Sequence, residues 1–500
     1  MVRIARGAPR AWENYHETVK QTVSQLQFID LDPAEAAAAR LAGTARLVGA
    51  ELARGRDIRP VGGAWSFSQL HKTGGDVLTT RETAAVGRLD PATVVGGLDS
   101  RRLRLVSGGT IIKQLNVALE AERLSIRTSG ASNGQSVAGA MATGTHGSAP
   151  SEGGFQEHVR GIHLVTAPGR SIWLEPAAPG GLDPAFARTF ADEVVRSDAL
   201  FQAAVVHLGG LGYVSGVLFE AVPRFLVGIV QRKAVLKRDA LEELARGDFQ
   251  AFAARFGFAD PYFVQAILNP FRPDTRPALV RLLVPIPEEA LFEELPFLGS
   301  LFNFDPLNAL SDVIALLPPG ARGEIIAILM RKLYPELPKD GGPPVGVTWG
   351  TTTPDHHKVG DLFSTGIAVE RERLPEALDA MLPAFRQHDG GDAVCTLRFV
   401  RKSPGTLAAT RWEHNVVIDF DGLRSKASRR AYERVLAAVD AAGIPSRQHW
   451  GKLSLLDAAR VRRDHGDAAV DAWRAARAQL LSPAMASTFR SQALVDWGLA

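Results

Sequence analysis

The segment Thr128–Ser151 reads TSGASNGQSVAGAMATGTHGSAPS and contains no Asp, Glu, Lys or Arg. Glycines allow backbone conformations that turn several N–H groups toward one point, and small side chains let a ligand approach the backbone closely. Such a loop can bind a phosphate without a basic side chain. Two further glycine-rich loops, RPVGGAWSF at Arg59–Phe67 and Ser107-Gly108-Gly109, lie in the same half of the chain. Together they suggest a long ligand with a pyrophosphate, such as a dinucleotide; tight turns in a glycine-rich protein are the alternative.

The composition excludes several classes of partner. The 500 residues carry 57 Lys+Arg against 54 Asp+Glu, and the basic residues are dispersed. We therefore expect no nucleic acid as a partner. Because Cys395 is the single cysteine, a disulfide within the chain and a cysteine-rich metal site are ruled out, and no metal is predicted. The start of the chain lacks the apolar stretch of a signal peptide, and no run reaches the ~18 apolar residues of a membrane span. A cytoplasmic protein is expected.

Residues 1–224 are predicted to form one domain of mixed strands and helices. A helix is expected up to about Ala53, with Asp32 as its N-cap and Pro33 in its first turn. Strand-like runs follow at IRPVGG, DVLTT, LRLVSGG and LSIRTSG, with a helix at Ile111–Glu122 between the last two. Strands with intervening helices favour an α+β fold here.

A second unit is predicted at 225–423. Its two halves repeat one order, a strand, a helix and two strands, which indicates an antiparallel sheet backed by helices that covers a site. Between the halves, 285–357 is predicted to be an insertion. Residues 424–500 are predicted to be mostly helical, with a break at IPSRQHWGKL.

The run QSVAGAMATGTHGS at Gln135–Ser148 resembles the flavin loop of the vanillyl-alcohol oxidase superfamily, also called the p-cresol methylhydroxylase-type FAD fold. It is most similar to the branch of aldonolactone and alditol oxidases. RPVGGAWSF, LGGLGYVSGVLFEAVP at Leu208–Pro223, and HWGK at His449–Lys452 follow in the order of that branch. The resemblance implies a two-subdomain FAD-binding domain, an antiparallel-sheet cap domain for the substrate, and a C-terminal segment that returns to the flavin.

The resemblance also implies which residues lie at the FAD. We call Arg59–Phe67 the first loop and Thr128–Ser151 the second loop, after their order in the chain. In many relatives a histidine just before the Ser-Phe of the first loop bonds the flavin covalently. Here Trp65 occupies that position, so noncovalent FAD is expected. Gly212 and Val214 are expected on the adenine side. The full set of implied cofactor-binding residues is Gly62, Gly63, Trp65, Ser66, Ser129, Ser132, Asn133, Ser136, Gly139, Thr143, Gly144, His146, Gly147, Gly212, Val214 and His449.

The chemistry that the resemblance implies is oxidation of an alcohol, with hydride transfer to flavin N5 and O2 or another electron acceptor. Fixed cations near the flavin and the substrate oxygen lower the barrier of such a reaction. Lys452 and Arg398 match positions that flank the flavin in the alditol-oxidase branch. In that branch a glutamate stands two residues before the arginine, whereas this chain has Thr396. This departure weakens the inference of a polyol or aldonolactone-like substrate, because a carboxylate suited to binding hydroxyls is missing.

Other interpretations remain open at this point. If the apolar part of the insertion lines a pocket, it favours a hydrophobic alcohol such as a sterol or terpenoid as substrate. The alternative is that these apolar residues only form part of the hydrophobic core. GASNG at 130–134 fits the G-x-S-x-G pattern of a serine hydrolase with Ser132 as nucleophile, although the glycines that follow are poor helix formers. Glu413 or His414 is a candidate base, and His356-His357 a weak metal candidate. A chain that binds FAD without catalysis is a further alternative.

Overall fold

The computed structural model describes residues 3–7, 9–32, 34–178, 180–287, 335–338, 342–352, 362–388 and 390–500. Three large sheets organise these residues. A four-stranded and a six-stranded sheet come from the first half of the chain, and an eight-stranded sheet is built from strands after residue 225. Helices pack against the sheets, so the structure is of the α+β class that the sequence predicts.

The N-terminal segment before the predicted N-cap Asp32 forms strands. Strand β1 (Arg3–Arg6) pairs antiparallel with β4 (Leu26–Asp30), while β2 (Arg10–Glu13) and β3 (Lys20–Val23) form a separate hairpin. Strand β4 also pairs in parallel with β6 (Asp76–Thr79). That partner lies far along the chain, and local helix propensity carries no information about such pairing.

The predicted helix is present, but it begins later than expected, at Ala37, and ends at Leu52. Asp32 is not its N-cap: the Asp32 side chain accepts a hydrogen bond from the Ala34 N–H at 2.9 Å, before the helix begins. The helix packs on the six-stranded sheet, where Gly216 leaves room for Leu41. A Cβ at Gly216 would lie 2.8 Å from the Leu41 side chain, so close packing of helix and sheet needs this glycine.

The first two sheets form the part of the molecule that carries the glycine-rich loops. The four-stranded sheet has the order β1-β4-β6-β5, and the six-stranded sheet has the order β12-β11-β10-β13-β8-β7. A two-stranded ladder joins β9 to β14. The remaining strands of this part are β5 (Ile58–Val61), β7 (Val86–Arg88), β8 (Leu103–Ser107), β9 (Leu124–Ser125), β10 (Val159–Ala167), β11 (Arg170–Glu175), β12 (Glu193–Arg196), β13 (Tyr213–Glu220) and β14 (Val222–Pro223). The helices are Ala37–Leu52, Ile112–Glu120, Val137–Ala142, Pro184–Ala187 and Asp198–Ala204.

The eight-stranded sheet, named here the cap sheet, has the order β18-β15-β17-β16-β20-β21-β19-β22, and every pairing in it is antiparallel. Its strands are β15 (Leu226–Ala234), β16 (Phe263–Leu268), β17 (Ala278–Ile286), β18 (Val345–Thr348), β19 (Leu362–Glu370), β20 (Ala393–Arg401), β21 (His414–Leu423) and β22 (Ser446–Gln448). Most of the predicted insertion, including His356 and His357, lies outside the described residues.

The two faces of the cap sheet have different surroundings. One face packs on the helices Arg238–Arg246, Phe249–Ala254, Leu374–Arg386 and Lys426–Ala441 through a continuous apolar core that includes Phe252, Phe385 and Phe420. Because side chains alternate along a strand, the other face is free to carry a different set of residues. That face turns toward the glycine-rich loops and bounds a cavity.

The C-terminal residues are helical, as expected, apart from one short strand. After the helix Lys426–Ala441, the helices are Ala458–His465, Asp467–Leu480, Pro483–Thr488 and Gln492–Asp496. The predicted break contains β22, which pairs with β19 at the edge of the cap sheet. This pairing brings the HWGK segment to the cavity. No helix in the described ranges is both long and apolar enough to cross a membrane.

Candidate functional site

A cavity of about 530 Å³ lies between the glycine-rich loops and the cap sheet. Its walls include residues from the loop Arg59–Phe67, from 129–147, from 207–214, and from the HWGK segment. The cap sheet completes the wall. A volume of this order is typical of a site for a small molecule or cofactor.

The first two glycine-rich loops pack directly against each other. A Cβ at Gly62 would lie 1.8 Å from Ser136 Oγ, and a Cβ at Gly63 would lie 2.2 Å from the Gly134 carbonyl oxygen. A Cβ at Gly134 would lie 2.1 Å from the Trp65 ring. Real Cβ atoms do not approach other atoms this closely, so only glycine allows the two backbones to meet in this way.

The second loop leads into the short helix Val137–Ala142. Ser136 is its N-cap and accepts a hydrogen bond from the Gly139 N–H at 3.2 Å. Beyond the helix, Gly144 has a φ of +66°, which turns the chain back toward the cavity. The loop is tied to the cap sheet at Ser148, whose backbone carbonyl accepts the Val264 N–H at 2.9 Å. The two walls of the cavity are thus joined by hydrogen bonds.

A buried arginine fixes a third wall. Arg59 donates hydrogen bonds to the carbonyl oxygens of Leu208 (3.1 Å) and Gly209 (3.0 Å). Burial lowers the pKa of Arg59 to about 10. The neighbouring His207 accepts the Gly209 N–H at 3.0 Å through Nδ1. These contacts hold the LGGLG turn against the first loop.

Aromatic rings cover the first loop from the N-terminal hairpin. The Trp65 ring stacks on Tyr15 with a centroid distance of 3.9 Å, and His16 stacks on Phe67 at 3.8 Å. His71 also lines the cavity, and burial together with the charge of Arg59 lowers the pKa of His71 to about 3. These rings make one end of the cavity apolar.

The opposite wall contains two cations that share one buried carboxylate. Asp419 on β21 is fully buried, and its Oδ2 lies 2.8 Å from Lys452 Nζ and 3.0 Å from Arg398 Nε. Burial raises the pKa of Asp419, while Lys452 and Arg398 oppose that shift. Gly366 makes this arrangement possible, because a Cβ there would lie 2.7 Å from Asp419 Oδ1. The result is a fixed cluster of two cations around one carboxylate at the cavity wall.

Two histidines stand beside this cluster. The rings of His146 and His449 have a centroid distance of 5.3 Å. Desolvation and the nearby Arg398 and Lys452 lower the pKa of His146 to about 3, and that of His449 lies well below its usual range from burial and the same neighbours. Both rings are therefore neutral at pH 7. His449 Nδ1 accepts the Gly451 N–H at 2.9 Å, which fixes the orientation of its ring.

A polar row crosses the cavity face of the cap sheet. Gln231, Arg281, Gln265 and Arg398 are directly opposite one another on β15, β17, β16 and β20. All four residues line the cavity. Residues opposite one another in an antiparallel sheet share a face, so this row is a continuous polar strip in an otherwise partly apolar wall.

The structure brings most of the predicted site residues together. The cavity is lined by Gly62, Gly63, Trp65, Ser66, Ser129, Ser132, Ser136, Gly139, Thr143, His146, Gly147, Gly212, Val214, Thr396, Arg398, His449 and Lys452. Asn133 and Gly144 do not line it. Asn133 instead donates from Nδ2 to the Gly350 carbonyl at 3.1 Å, a link to the segment that follows β18.

Sequence reasoning missed several cavity residues. Tyr15, Arg59, Gln265 and Asp421 line the cavity, and Asp419 lies behind it. Alternation along β20 and β21 is the signal that could have identified Asp419 and Asp421, since polar residues at every second position of a strand mark one face.

The structure does not support the alternative roles of Ser132 as a hydrolase nucleophile and of Glu413 or His414 as a base. Ser132 Oγ accepts the Gly134 N–H at 3.2 Å, and among the described residues no histidine forms a hydrogen bond with it. The helix after it begins only at Val137, whereas a nucleophile elbow requires a helix directly after the serine. Neither Glu413 nor His414 is among the described residues that line the cavity.

Two unmet polar groups of the cavity wall fit a dinucleotide such as FAD. Gln135 Oε1 and Trp349 Nε1 are buried atoms of residues that line the cavity, and neither has a hydrogen-bond partner among the residues that the structure describes. Buried polar atoms almost always have partners in native proteins. A ligand with both donors and acceptors would satisfy an amide oxygen and an indole N–H together.

Comparison with known proteins identifies the class of this domain. Residues 37–175 match the family model described as "FAD binding domain". The chain therefore contains an FAD binding domain, and FAD is its cofactor. The matched range holds both loops that pack together at Gly62 and Gly134.

The particular relatives agree with the predicted resemblance. The chain is 31% identical over 163 residues to an alditol oxidase of Streptomyces sp., covering 33% of either protein. It is 32% identical over 123 residues to a putative D-arabinono-1,4-lactone oxidase of Neurospora crassa, covering 25% of this chain and 19% of the relative. It is 28% identical over 211 residues to an L-gulono-1,4-lactone dehydrogenase of Mycobacterium tuberculosis, covering 41% of this chain and 42% of the relative. The chain thus spans less than half the length of these curated relatives.

Solved structures match over the whole chain. A cholesterol oxidase from Brevibacterium sterolicum has a TM-score of 0.72 and 14% identity, with 99% of this chain and 97% of that chain covered. A solvent-stable cholesterol oxidase has a TM-score of 0.69 and 16% identity, with 100% and 98% covered. At this identity the likeness shows the fold alone. The predicted p-cresol methylhydroxylase-type fold with an antiparallel cap sheet is confirmed, as is the resemblance to the aldonolactone and alditol oxidase branch.

Proposed function

We propose that this protein is an FAD-dependent oxidoreductase that oxidises the CH–OH group of a small alcohol, with a polyol or aldonolactone-like compound as substrate. The observation that carries the proposal is the meeting of Arg398 and Lys452 at Asp419 on the wall opposite the FAD loops. The relatives named as alditol and aldonolactone oxidases and dehydrogenases support it.

FAD, when bound, supplies the hydride acceptor at its N5 atom. The residues of this chain then have to bind the alcohol, orient it, and stabilise charge on its oxygen as the proton leaves. Lys452 and Arg398 are cations only 15% and 13% exposed, so their charges are weakly screened by solvent. We assign them to the substrate oxygen and to the electron-rich edge of the cofactor.

Asp419 is a positioning residue in this proposal. It is fully buried and holds both cations by ion pairs, so neither side chain can swing to solvent. Preorganised charges lower a barrier because they need no reorientation during the reaction. His146 and His449, both neutral at pH 7, add ring surface beside the cluster without a further charge. Thr396 is assigned to the same wall as a hydroxyl group that faces the substrate.

The cofactor is proposed to be noncovalent. Trp65 stands before the Ser-Phe of the first loop, and its ring is stacked on Tyr15. Indole carbons do not form the histidyl linkage of other flavoproteins. If the purified protein is precipitated with acid, the yellow colour is expected in the supernatant. Colour that stays with the pellet would contradict the noncovalent proposal.

A second candidate substrate is a hydrophobic alcohol of sterol or terpenoid type. The observation that favours it is the apolar part of the cap wall, where Phe263, Leu283 and Trp349 line the cavity. This candidate shares the cofactor and the cationic cluster with the first. The two candidate substrates differ in the cavity residues that would contact the part of the molecule outside the reacting CH–OH group.

The test is a flavin-bleaching screen on the purified holoprotein under anaerobic conditions. Sorbitol, L-gulono-1,4-lactone, geraniol and cholesterol serve as probes of the three substrate types, and loss of flavin absorbance reports reduction. Reoxidation by air then decides whether O2 is an acceptor. A holoprotein that none of these probes reduces would contradict the proposed reaction. Labelling of Ser132 by a fluorophosphonate would favour a hydrolase instead.

A further inference from the structure

The cavity face of the cap sheet contains a second carboxylate, Asp421, which the proposed reaction does not use. It lies two residues after Asp419 on β21 and therefore on the same face of the sheet. Ser364 on β19 and Val394 on β20 are its neighbours in register. Asp421 lines the cavity, and its side chain is 25% exposed, in contrast to the fully buried Asp419.

The two oxygens of Asp421 have different surroundings. Oδ1 accepts a hydrogen bond from Ser364 Oγ at 2.6 Å and lies 3.7 Å from Lys452 Nζ. Oδ2 accepts no hydrogen bond from any residue in the described part of the chain. The carboxylate is therefore held in one orientation by Ser364, with its second acceptor oxygen available at the cavity wall.

The charges of this wall indicate what kind of group Oδ2 binds. The positive charges of Arg398 and Lys452 are balanced by Asp419 and Asp421. A neutral ligand preserves that balance, whereas an acidic substrate would place a second negative charge beside Asp421. A purely apolar ligand would remove water from Asp421 and leave its oxygen without a donor, which is costly. A hydroxyl group is neutral and donates a hydrogen bond.

We infer that Asp421 Oδ2 binds a second hydroxyl group of the substrate, next to the one that is oxidised. Lys452 Nζ lies beside Asp419 and also 3.7 Å from Asp421, so a hydroxyl at Asp421 and an oxygen at Lys452 belong to neighbouring carbons. The substrate class is therefore a neutral compound with adjacent hydroxyl groups, such as an alditol or a sugar lactone. This inference rests on the proposed function and narrows it against the hydrophobic alcohol.

The cap sheet also explains why the sequence alone pointed away from such a substrate. Thr396 lacks the carboxylate expected two residues before Arg398. In the sheet, Thr396 is directly opposite Asp419, and Asp421 follows two residues later. The neighbouring strand thus supplies acidic groups to the wall where Thr396 has only a hydroxyl. A pattern confined to β20 cannot show this.

The test compares wild type with Asp421→Asn, which has nearly the same shape but no negative charge. The holoprotein is reduced anaerobically with dithionite, so that it cannot oxidise an alcohol, and xylitol binding is measured by calorimetry. We expect Asp421→Asn to weaken xylitol binding roughly 10- to 100-fold, the range for a hydrogen bond to a charged group. Asp379→Asn, at an exposed carboxylate on the helix Leu374–Arg386, is the matched control and should bind xylitol like wild type.

A second variant, together with measurements of folding, keeps the test valid if Asp421→Asn misfolds. Ser364→Ala keeps the charge of Asp421 but removes the hydroxyl that orients it, and we expect a weaker loss of xylitol binding than with Asp421→Asn. FAD content and the urea midpoint of each variant should match wild type. Equal xylitol binding by wild type and Asp421→Asn, or no binding by wild type, would overturn the inference.

Turnover separates this inference from the proposed function. Oxidation of geraniol but of no polyol by wild type would overturn the role of Asp421 and leave the proposed oxidoreductase intact. A wild-type holoprotein that oxidises no alcohol would remove the proposed function, while xylitol binding to the reduced protein would still decide whether Asp421 binds a hydroxyl. Selective loss of xylitol turnover in Asp421→Asn, with an increased KM, supports the inference.

Discussion

Lys452 Nζ lies 2.8 Å from Asp419 Oδ2, although the two residues come from different parts of the chain. Asp419 is in the middle of β21, and Lys452 follows the edge strand β22. Between the two strands lies β19, where Gly366 is directly opposite Asp419 and has no side chain to separate the pair. The ion pair thus fastens the C-terminal segment to the cap sheet at the cavity wall.

Replacement of Lys452 by Met is expected to leave FAD bound but to slow its reduction by substrate at least 100-fold, the scale of losing one well-placed electrostatic group. Stopped-flow absorbance under anaerobic conditions measures the reduction. Lys20→Met, at an exposed lysine on β3, is the control and should react like wild type. Reduction at the wild-type rate in Lys452→Met would remove this residue from the proposed mechanism.

Replacement of Asp419 by Ala is expected to destabilise the holoprotein by about 3–5 kcal/mol, because it leaves two largely buried cations without their carboxylate. Urea unfolding followed by circular dichroism gives the free energy of unfolding. The same change at Asp379, which is exposed and paired with Arg238, should leave the free energy of unfolding nearly unchanged. Equal, small losses for both variants would show that Asp419 does not hold the cluster together.

Replacement of Gly134 by Ala is expected to weaken FAD binding at least 10-fold. The added Cβ would lie 2.1 Å from the Trp65 ring, so the two glycine-rich loops must separate. Titration of the apoprotein with FAD, followed by flavin fluorescence, measures the affinity. The control is Gly74→Ala, where an added Cβ meets nothing within 4 Å. An unchanged affinity in Gly134→Ala would show that the loop contact is not needed for the cofactor.

Stability is expected to fall as the pH is lowered from about 6.5 toward 3, partly because of His163. This residue is fully buried, its Nδ1 lies 2.6 Å from Ser215 Oγ, and desolvation lowers its pKa to about 3. The unfolded chain takes up a proton near pH 6.5, whereas the folded protein does not until about pH 3. Between these values the unfolded state binds more protons, so each pH unit removed costs about 1.4 kcal/mol for this one group.

The matching measurement is the free energy of unfolding at pH 7.5 and pH 5 for wild type and His163→Gln. We expect the variant to be less stable at pH 7.5 but to lose less stability on acidification. His388→Gln, on the loop after the helix Leu374–Arg386, serves as the exposed control. Identical pH dependence in wild type and His163→Gln would show that His163 does not contribute to the acid sensitivity.

The glycine-rich loops could be recognised from the sequence because their chemistry is local. The conformational freedom of glycine and the lack of charge in Thr128–Ser151 are properties of adjacent residues, and the loop Arg59–Phe67 is also rich in glycine. The mutual contact of Gly62 with Ser136 was not predictable in the same way. It depends on where the four-stranded sheet places the first loop.

The N-terminal strands and the acidic residues of the cap could not be predicted by the same reasoning. The segment before Asp32 is a strand because β6 pairs with it, and this partner lies some fifty residues away. The neighbours of Asp419 and Asp421 are set by the register of β21 against β19 and β20. Register is set by the packing of a whole sheet, which no local pattern specifies.

The sequence by itself predicted the glycine-rich loops and named the two cations, since these depend on residue type and short spacing. Only the tertiary structure decided that both cations share Asp419 and that Asp421 stands beside them at the cavity wall. Ion pairs and hydrogen bonds need atoms within about 3–4 Å. Chain segments that are far apart in sequence reach such distances only when the sheets are assembled.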